Sequence, residues 1–347
     1  MKKFYIDDLK IHTIELTYDI ALDDYKNFRE YFYSTNKRII QENQITNYLG
    51  FINKGFQIKL CAFNEPYCYQ IKYIINPARF YDNNNYLELS DINSITETLK
   101  SMSEFLISNY EGFPPLLNCR ITRIDLTKDI YVGENIGYII KLLNRCYIPE
   151  TFGKYMLKNG NYPKDNATFT KRSKNGGKIF ELSFYNKYNE MKAHTENSKY
   201  CYDVNTLQKA NGILRMELRL YSQRLKNMKK SLHFNTASEL LSNLPEIVYG
   251  ITYKNFRSLF MIGKFYKSDK IKQKISESGY HEKTKRMMLM FIDSVTVHKN
   301  AELAAFDFEE KYGAKKLKIV LNNFNELSII PTPIAVKKKI DKWEFIL

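Results

Sequence analysis

The sequence predicts an α+β protein: an antiparallel sheet with helices on one face, followed by a mostly α-helical C-terminal domain. Three segments carry the sheet prediction, because each alternates apolar and polar residues with the period of two that is typical of a half-buried strand. They are residues 120–129 (RITRIDLTKD), 178–187 (KIFELSFYNK) and 213–220 (ILRMELRL). After residue 221 the alternation gives way to helical periodicity, so a domain boundary is predicted near residue 230.

The same patterns predict further elements on both sides of the boundary. A strand at 167–172 would form a hairpin with the strand at 178–187, since the Asn-Gly pair between them favours a tight turn. The other elements predicted before the boundary are strands over 11–18, 55–63 and 67–75 and helices over 22–33, 90–110, 134–145 and 222–231. Residues 231–347 are predicted to be all helical, with helices over 236–243, 252–266, 268–277, 281–297, 301–311 and 314–323.

The charge balance predicts a polyanionic partner. The 347 residues include 53 Lys and Arg against 38 Asp and Glu, which gives a formal net charge of +15. Phosphate backbones favour such a surface, because each matched cation releases condensed counterions, so nucleic acid is the expected partner. The frequent Lys, Asn, Ile and Tyr also fit an AT-rich genome, which would raise the Lys content by itself.

Cysteine usage and hydropathy predict a cytoplasmic protein. The five cysteines are odd in number and never in C-x-x-C spacing, so neither a disulfide framework nor a zinc site is indicated. The N-terminus has no apolar run of the signal-peptide type, and no apolar stretch reaches membrane-spanning length, so no membrane partner is expected.

Several common enzyme motifs are missing from the sequence. It contains no G-x-x-x-x-G-K-[ST] and no G-x-G-x-x-G segment, which excludes Walker-type nucleotide hydrolysis and the dinucleotide-binding fingerprint. No Ser or Cys lies in a nucleophile elbow. The five histidines are scattered, and each is predicted to be a surface or core residue and not a metal ligand.

The polar faces of the three alternating strands carry the candidate chemistry. Asp125 and Glu217 each lie in the middle of such a face, and Tyr185 lies on the third. One sheet would therefore gather these residues, together with Glu190 just beyond the third strand. A phenol has a reference pKa of about 10 and is a poor nucleophile, but it becomes competent when a divalent cation polarises its target phosphate.

The neighbouring charged side chains suit that chemistry. Asp125, Glu217 and Glu190 offer carboxylate oxygens of the kind that bind Mg²⁺ or Mn²⁺. Lys187 and Arg215 would stabilise a pentacovalent phosphate or lower the pKa of the phenol. The alternative is that each acid only pairs with a neighbouring arginine on a solvated strand face.

Three segments, in this order, resemble the signature of rolling-circle replication initiators. They are residues 122–126 (TRIDL), 184–190 (FYNKYNE) and 214–219 (LRMELR). The resemblance is to the filamentous-phage gene II/X family in particular, because residues 74–79 (IINPAR) also look like that family's I-K-x-S-P-A-K stretch. It covers roughly residues 55–230. Related plasmid Rep proteins and relaxases carry similar R-[IL]-D-L, Y-[ND]-K-x-x-E and R-x-E segments.

The resemblance implies an initiator that nicks one DNA strand at an origin and later rejoins it. Tyr185 would be the nucleophile, giving a 5′-phosphotyrosyl link and a free 3′-OH, while Asp125 and Glu217, with Glu190 as an addition, would hold Mg²⁺ or Mn²⁺. Residues 1–230 would form the sheet-based nicking and joining domain, and residues 231–347 a basic domain with a DNA-binding or accessory role. The His-hydrophobic-His metal motif of many such initiators is absent.

The expected partners are origin DNA, either single-stranded or as a supercoiled duplex, and a host helicase and polymerase. Two alternatives stay open at this point. One is a relaxase of a plasmid or integrative element with the same tyrosine chemistry. The other is a non-catalytic nucleic-acid-binding protein, in which the acids are structural.

Overall fold

One large antiparallel sheet organises the protein. The computed structural model describes residues 9–35, 38–64, 67–81, 89–157, 161–196, 202–234, 236–260, 263–336, 338 and 342–344. Within them, ten strands form the sheet in the order β2-β3-β4-β5-β1-β6-β10-β9-β8-β7. Their bounds are β1 Lys10–Ile20, β2 Ile39–Glu42, β3 Ile45–Tyr48, β4 Phe56–Asn64, β5 Tyr67–Ile75, β6 Arg120–Tyr131, β7 Phe152–Lys154, β8 Asn166–Arg172, β9 Lys178–Asn186 and β10 Ile213–Tyr221.

Nine α-helices accompany the sheet in the described part of the chain up to residue 260, and four more form the helical C-terminal region. The first nine are α1 Leu22–Ser34, α2 Ala78–Tyr81, α3 Ile95–Asn109, α4 Ile136–Asn144, α5 Lys187–Glu196, α6 Val204–Lys209, α7 Ser222–Ser231, α8 Ala237–Ser242 and α9 Leu244–Leu259. The last four are α10 Ser268–Ser276, α11 Glu282–His298, α12 Ala301–Tyr312 and α13 Ala314–Glu326. The predicted fold class is confirmed.

The three strands with the clearest alternation lie side by side near the middle of the sheet. β10 pairs with β6 on one side and with β9 on the other. Because the side chains alternate, this register brings the polar faces of the three strands together. Glu217 lies opposite Thr127 of β6 and Ser183 of β9. The hairpin between β8 and β9 is also confirmed, and its turn contains Gly176 with a φ of 78°, which glycine adopts without a steric penalty.

The opposite, apolar face of the sheet forms the main core. Leu126, Phe184 and Leu218 are fully buried there, in the same cluster as Phe28 of α1 and Phe256 of α9. The rings of Phe184 and Phe256 meet edge to face, with their centroids 6.3 Å apart. Burial of one face by helices is the physical reason for the period of two in these strands.

The apolar contacts form two large clusters along the chain. The first contains the sheet and continues through α8 and α9 to Phe265, and it includes Trp343. The second consists of residues between Ile271 and Ile329, which belong mainly to α10–α13. The division into residues 1–230 and 231–347 stays a prediction. None of the described helices is both long and apolar enough to span a membrane.

Three predictions about individual elements are wrong. The alternation places Lys187 on the strand with Tyr185, but this lysine is the first residue of α5. Asn186 ends the strand, because its side-chain oxygen accepts a hydrogen bond from the backbone N–H of Asn189 (3.2 Å) in the manner of a helix N-cap. The period-two pattern of the sequence continues past this residue and hides the cap.

The two other corrections lie after residue 230. The helix predicted over 252–266 spans Leu244–Leu259, and Pro245 in its first turn is the start signal that the prediction overlooked; residues 261–262 lie outside the described residues. The region is also not purely helical, since β11 (Lys264–Tyr266) pairs with β12 (Lys342–Glu344). Three-residue strands are too short to show an alternation in sequence.

Candidate metal centre and tyrosine site

A histidine and two carboxylates from three adjacent strands form a compact group on the polar face of the sheet. His12 comes from β1, Asp125 from β6 and Glu217 from β10. One potential ligand atom of each lies within 4.8 Å of the other two. Both carboxylates are buried and His12 is half-buried. The two carboxylates are ligands that Mg²⁺ and Mn²⁺ prefer, and an imidazole is a ligand of transition-metal ions, so these residues fit a divalent cation.

A β-bulge explains both the position of His12 and why sequence reasoning missed it. In the pairing of β1 with β6, Ile11 lies opposite Leu126 and Thr13 lies opposite Asp125, so His12 is an inserted residue. A regular strand would place His12 on the same face as the buried Ile14. The bulge instead turns its side chain toward Glu217, with 3.0 Å between His12 Nδ1 and Glu217 Oε1. The sequence pattern gave no reason to single out His12, and the prediction that no histidine is a metal ligand stays untested.

Glu217 is the most highly connected member of the group. Its Oε1 atom contacts His12 and accepts a hydrogen bond from the Tyr185 hydroxyl (3.1 Å). Its Oε2 atom accepts from Arg219 Nε at 3.0 Å. Burial would raise the pKa of this carboxyl, but the hydrogen bonds and charges of His12 and Arg219 outweigh burial and hold the pKa well below its usual range. Glu217 is therefore a carboxylate at neutral pH.

Asp125 is held differently. Its two oxygens accept hydrogen bonds from the Arg123 guanidinium, with 2.7 Å from Nε to Oδ1. Complete burial raises the pKa of Asp125, the nearby charge of Glu217 adds to the rise, and the pairing with Arg123 only partly offsets it. The environment thus pushes the pKa values of two neighbouring carboxyls in opposite directions, a pattern that is enriched at functional sites.

Tyr185 is half-buried on β9, with its hydroxyl on Glu217. Burial raises the pKa of this phenol well above 10, and the negative charge of Glu217 raises it further, while Arg215 works in the other direction. Tyr185 is therefore a neutral hydrogen-bond donor at neutral pH. A positive charge close to Glu217 is what this phenol needs to become a nucleophile.

Arg215 is a cross-strand neighbour of Tyr185, and Lys187 follows Tyr185 two residues later in the chain, but the surroundings of the two cations differ. Arg215 is opposite Tyr185 in the register of β9 and β10, is fully buried, and makes a bidentate pair with Asp129 at 2.6 and 2.7 Å. Lys187 begins α5 and donates to Glu190 at 2.8 Å. Burial and the positive charge of Arg215 lower the pKa of Lys187.

Glu190 lies outside the compact group of His12, Asp125 and Glu217. Its oxygens instead contact Lys187 and His194, the latter at 3.3 Å from Nδ1. Glu190, Lys187, His194 and His12 nevertheless line one cavity of about 190 Å³. The role of Glu190 as a metal ligand stays a prediction.

The segment IINPAR reaches the same cavity. Asn76 and Arg79 line it, and the Arg79 side chain is buried. The segment that the sequence analysis singled out at residues 74–79 is thus next to His12 and Lys187, although it is distant from both along the chain.

The alternative interpretation, in which the acids only pair with arginines, accounts for part of this arrangement. Arg123 with Asp125 and Arg219 with Glu217 are such pairs. It does not account for the convergence of an imidazole and a phenol on the Glu217 oxygen that faces away from Arg219. A β-bulge that re-aims His12 is a feature that strands acquire next to active sites.

Comparison with known families gives one match. Residues 52–243, more than half of the chain, match the family model described as the N-terminal part of the gene II replication-associated protein. The matched segment contains Asp125, Tyr185 and Glu217. No curated protein and no solved structure shows significant similarity to the chain.

Proposed function

The chain belongs to the filamentous-phage gene II-type family of rolling-circle replication initiators, and we propose that it nicks one DNA strand by attack of Tyr185 on a phosphodiester. The observation that carries this proposal is the hydrogen bond between Tyr185 and Glu217, because that carboxylate also belongs to the group with His12 and Asp125. This hydrogen bond supports the proposal because it joins the candidate nucleophile to the candidate metal centre.

The proposed step is a transesterification. The Tyr185 oxygen forms a bond to phosphorus, the bond from phosphorus to the 3′ oxygen breaks, and the 3′ oxygen leaves with the electron pair and takes up a proton. Glu217 already accepts the phenolic hydrogen bond and is placed to receive the phenolic proton. The product is a 5′-phosphotyrosyl link and a free 3′-OH. Reversal of the same step rejoins the strand, so no ATP is required.

Without a bound ion, proton transfer from Tyr185 to Glu217 is unfavourable. The pKa of the phenol is raised and that of the carboxyl is lowered, so the two are far from matched. A bound Mg²⁺ or Mn²⁺ would supply the missing positive charge, polarising the phosphate and favouring the phenolate. His12, Asp125 and Glu217 would hold this ion, with Glu190 as a further candidate.

Lys187 and Arg215 are proposed to act in different ways. Lys187 lines the cavity beside His12, so its ammonium is placed to contact a phosphate oxygen and stabilise the developing charge. Arg215 is locked to Asp129 and fully buried. We therefore propose that Arg215 acts through the field that it exerts on Tyr185 and Lys187 and does not touch the DNA itself.

The family assignment favours a phage initiator over a plasmid relaxase, although both would use this step. In an initiator the free 3′-OH primes synthesis, so a host polymerase and helicase would act next. The test is nicking of supercoiled DNA that carries the cognate origin, with Mg²⁺ or Mn²⁺ and with a chelator. We expect a nicked circle with protein attached to it only when the ion is present. An unchanged supercoiled substrate under all conditions would leave a binding protein as the better description.

A further inference from the structure

A second, larger cavity lies at the far end of the strands that carry the candidate site. It has a volume of about 1090 Å³. Its walls come from β1, β5, β6, β9 and β10 on the sheet side, and from α7 and α8 on the other. The buried side chains of Leu225 and Leu240 contribute an apolar floor. We call this cavity the end groove.

The charge of the end groove suits an anion. Five of the described residues that line it are basic and one, Glu15, is acidic; the basic residues are Lys72, Arg120, Lys178, Lys226 and Lys229. Two of these charges are partly offset, since Arg120 pairs with Asp19 at 2.9 Å and Lys178 pairs with Glu181 at 2.6 Å. Even with both set aside, Lys72 and Lys226 alone outnumber Glu15.

Two aromatic side chains lie among these cations. Tyr18 and Tyr221 both line the groove, and Tyr18 is 37% exposed. The Lys178 ammonium lies 5.6 Å from the centroid of the Tyr221 ring. Basic residues that follow a backbone, interleaved with rings on which bases stack, are the usual surface for single-stranded nucleic acid. Stacking on a ring requires an unpaired base, so a single strand fits better than a duplex.

A chain of ion pairs connects the end groove to the candidate metal centre. Lys178 contacts Glu181, Glu181 accepts from Arg219 at 3.0 Å, and Arg219 donates to Glu217. Along β10, four residue steps separate Glu217 from Tyr221, which is about 13 Å at ~3.3 Å per residue. A strand a few nucleotides long would therefore reach from one to the other.

The register of the sheet sets the direction in which that DNA strand runs. Tyr185 lies opposite Arg215, on one side of Glu217 along β10, and Tyr221 with the end groove lies on the other side. In a phosphoryl transfer, the attacking and leaving oxygens lie roughly in line on opposite sides of phosphorus. If Tyr185 attacks the phosphorus atom from the Arg215 side of Glu217, the 3′ oxygen leaves on the other side, toward the end groove.

We propose that the end groove binds the single strand on the 5′ side of the nick, the segment that ends in the free 3′-OH. This inference rests on the proposed function, since it takes Tyr185 as the nucleophile. It adds a binding site for the DNA strand that is separate from the residues that cut it. Lys72 and Lys226 contact its phosphates, and Tyr221 stacks on a base.

The test compares binding of trimmed oligonucleotides. The nick position is first mapped with the wild-type chain, and binding is then measured by fluorescence anisotropy in a Tyr185→Phe background, so that the DNA stays intact. Three single-stranded probes are used: one spanning the nick, one trimmed on its 5′ side and one trimmed on its 3′ side. The test variant carries Lys72→Ala and Lys226→Ala. A matched control carries Lys26→Ala and Lys100→Ala, which remove two exposed charges from α1 and α3.

The test variant should bind the two probes that keep the 5′ side several-fold more weakly than the control variant does. For these probes the slope of log affinity against log salt should become shallower by about 1.4, because each lost contact to a single strand accounts for about 0.7. The probe trimmed on the 5′ side should bind the test variant and the control equally. Equal binding of every probe by the two variants, or a loss confined to the 3′ side, would overturn the inference while leaving the nicking proposal intact. If the wild-type chain cuts no probe, the proposed function fails and this inference fails with it.

Discussion

The hydroxyl of Tyr185 donates a 3.1 Å hydrogen bond to the same Glu217 oxygen that lies 3.0 Å from His12 Nδ1. Three strands, β1, β9 and β10, thus place an imidazole and a phenol on one buried carboxylate. Arg219 occupies the other oxygen of Glu217, which keeps the carboxylate ionised and fixed in orientation. The proposed nucleophile is therefore hydrogen-bonded to an oxygen atom of the proposed ion-binding group.

Tyr185→Phe should abolish nicking and leave DNA binding nearly unchanged, because the change removes only the attacking oxygen. Glu217 keeps Arg219 and His12 as partners, so the fold should be preserved. The control is Tyr188→Phe, since Tyr188 packs against the small cluster around Met191 on α5. If nicking survives in the Tyr185 variant and disappears in the Tyr188 variant, Tyr188 and not Tyr185 is the nucleophile.

Asp125→Asn, Glu217→Gln and His12→Ala should each raise the concentration of Mg²⁺ needed for half-maximal nicking. Loss of one ligand weakens the ion site, so Mn²⁺ should restore part of the activity of the Asp125 and His12 variants. Glu217→Gln also removes the acceptor of the phenolic proton, so its nicking should stay slow even at saturating ion. His298→Ala is the control, because His298 pairs with Asp307 of α12 and belongs neither to the compact group nor to the cavity beside it. Titration of nicking against each ion measures the effect. Wild-type ion dependence in all three variants would rule out this centre.

The single-turnover nicking rate should rise with pH above neutrality. Because burial raises the pKa of Tyr185, the phenolate is scarce, and its fraction should increase about tenfold per pH unit. The lowered pKa of Lys187 works the other way: this lysine loses its positive charge before the phenol is fully ionised, so the rise should level off. Lys187→Arg keeps the charge and should extend the rise to higher pH. A rate that does not change with pH would contradict the assignment of both groups.

Asp129→Ala should destabilise the fold by about 3–5 kcal/mol, because it leaves the buried Arg215 charge without this carboxylate partner. The matched control is Asp19→Ala, which breaks the exposed pair with Arg120 and should cost about 1 kcal/mol or less. Urea unfolding followed by circular dichroism gives both values. Equal costs for the two variants would mean that the Arg215–Asp129 pair is not buried as described.

The strands at the centre of the sheet could be predicted from sequence because helices cover one of their faces. That burial imposes the alternation of Leu126, Phe184 and Leu218 with polar neighbours, and the alternation is visible without a structure. The prediction that β6, β9 and β10 belong to one sheet is confirmed, with Glu217 between Thr127 and Ser183. The role of each polar residue stays a prediction.

Features that depend on a single residue could not be predicted from the alternation of apolar and polar residues. The bulge at His12 inserts one residue and moves this side chain from the face predicted by alternation to the opposite one. The cap at Asn186 turns the chain into α5 and removes Lys187 from the strand. Both changes occur at the edge of the candidate site, where local pairing and capping contacts decide the direction of a side chain. In sequence, the signals for them are only a histidine in an apolar strand and an asparagine before a helix.

The most direct test of the account is to identify the atom that holds the cut DNA. The wild-type chain is incubated with Mn²⁺ and an origin oligonucleotide, digested with protease, and the peptide bound to DNA is sequenced by mass spectrometry. The expected product is a 5′-phosphate joined to Tyr185, together with a released strand whose 3′-OH a polymerase can extend. Cleavage without a covalent peptide, or with the DNA on another residue, would contradict it.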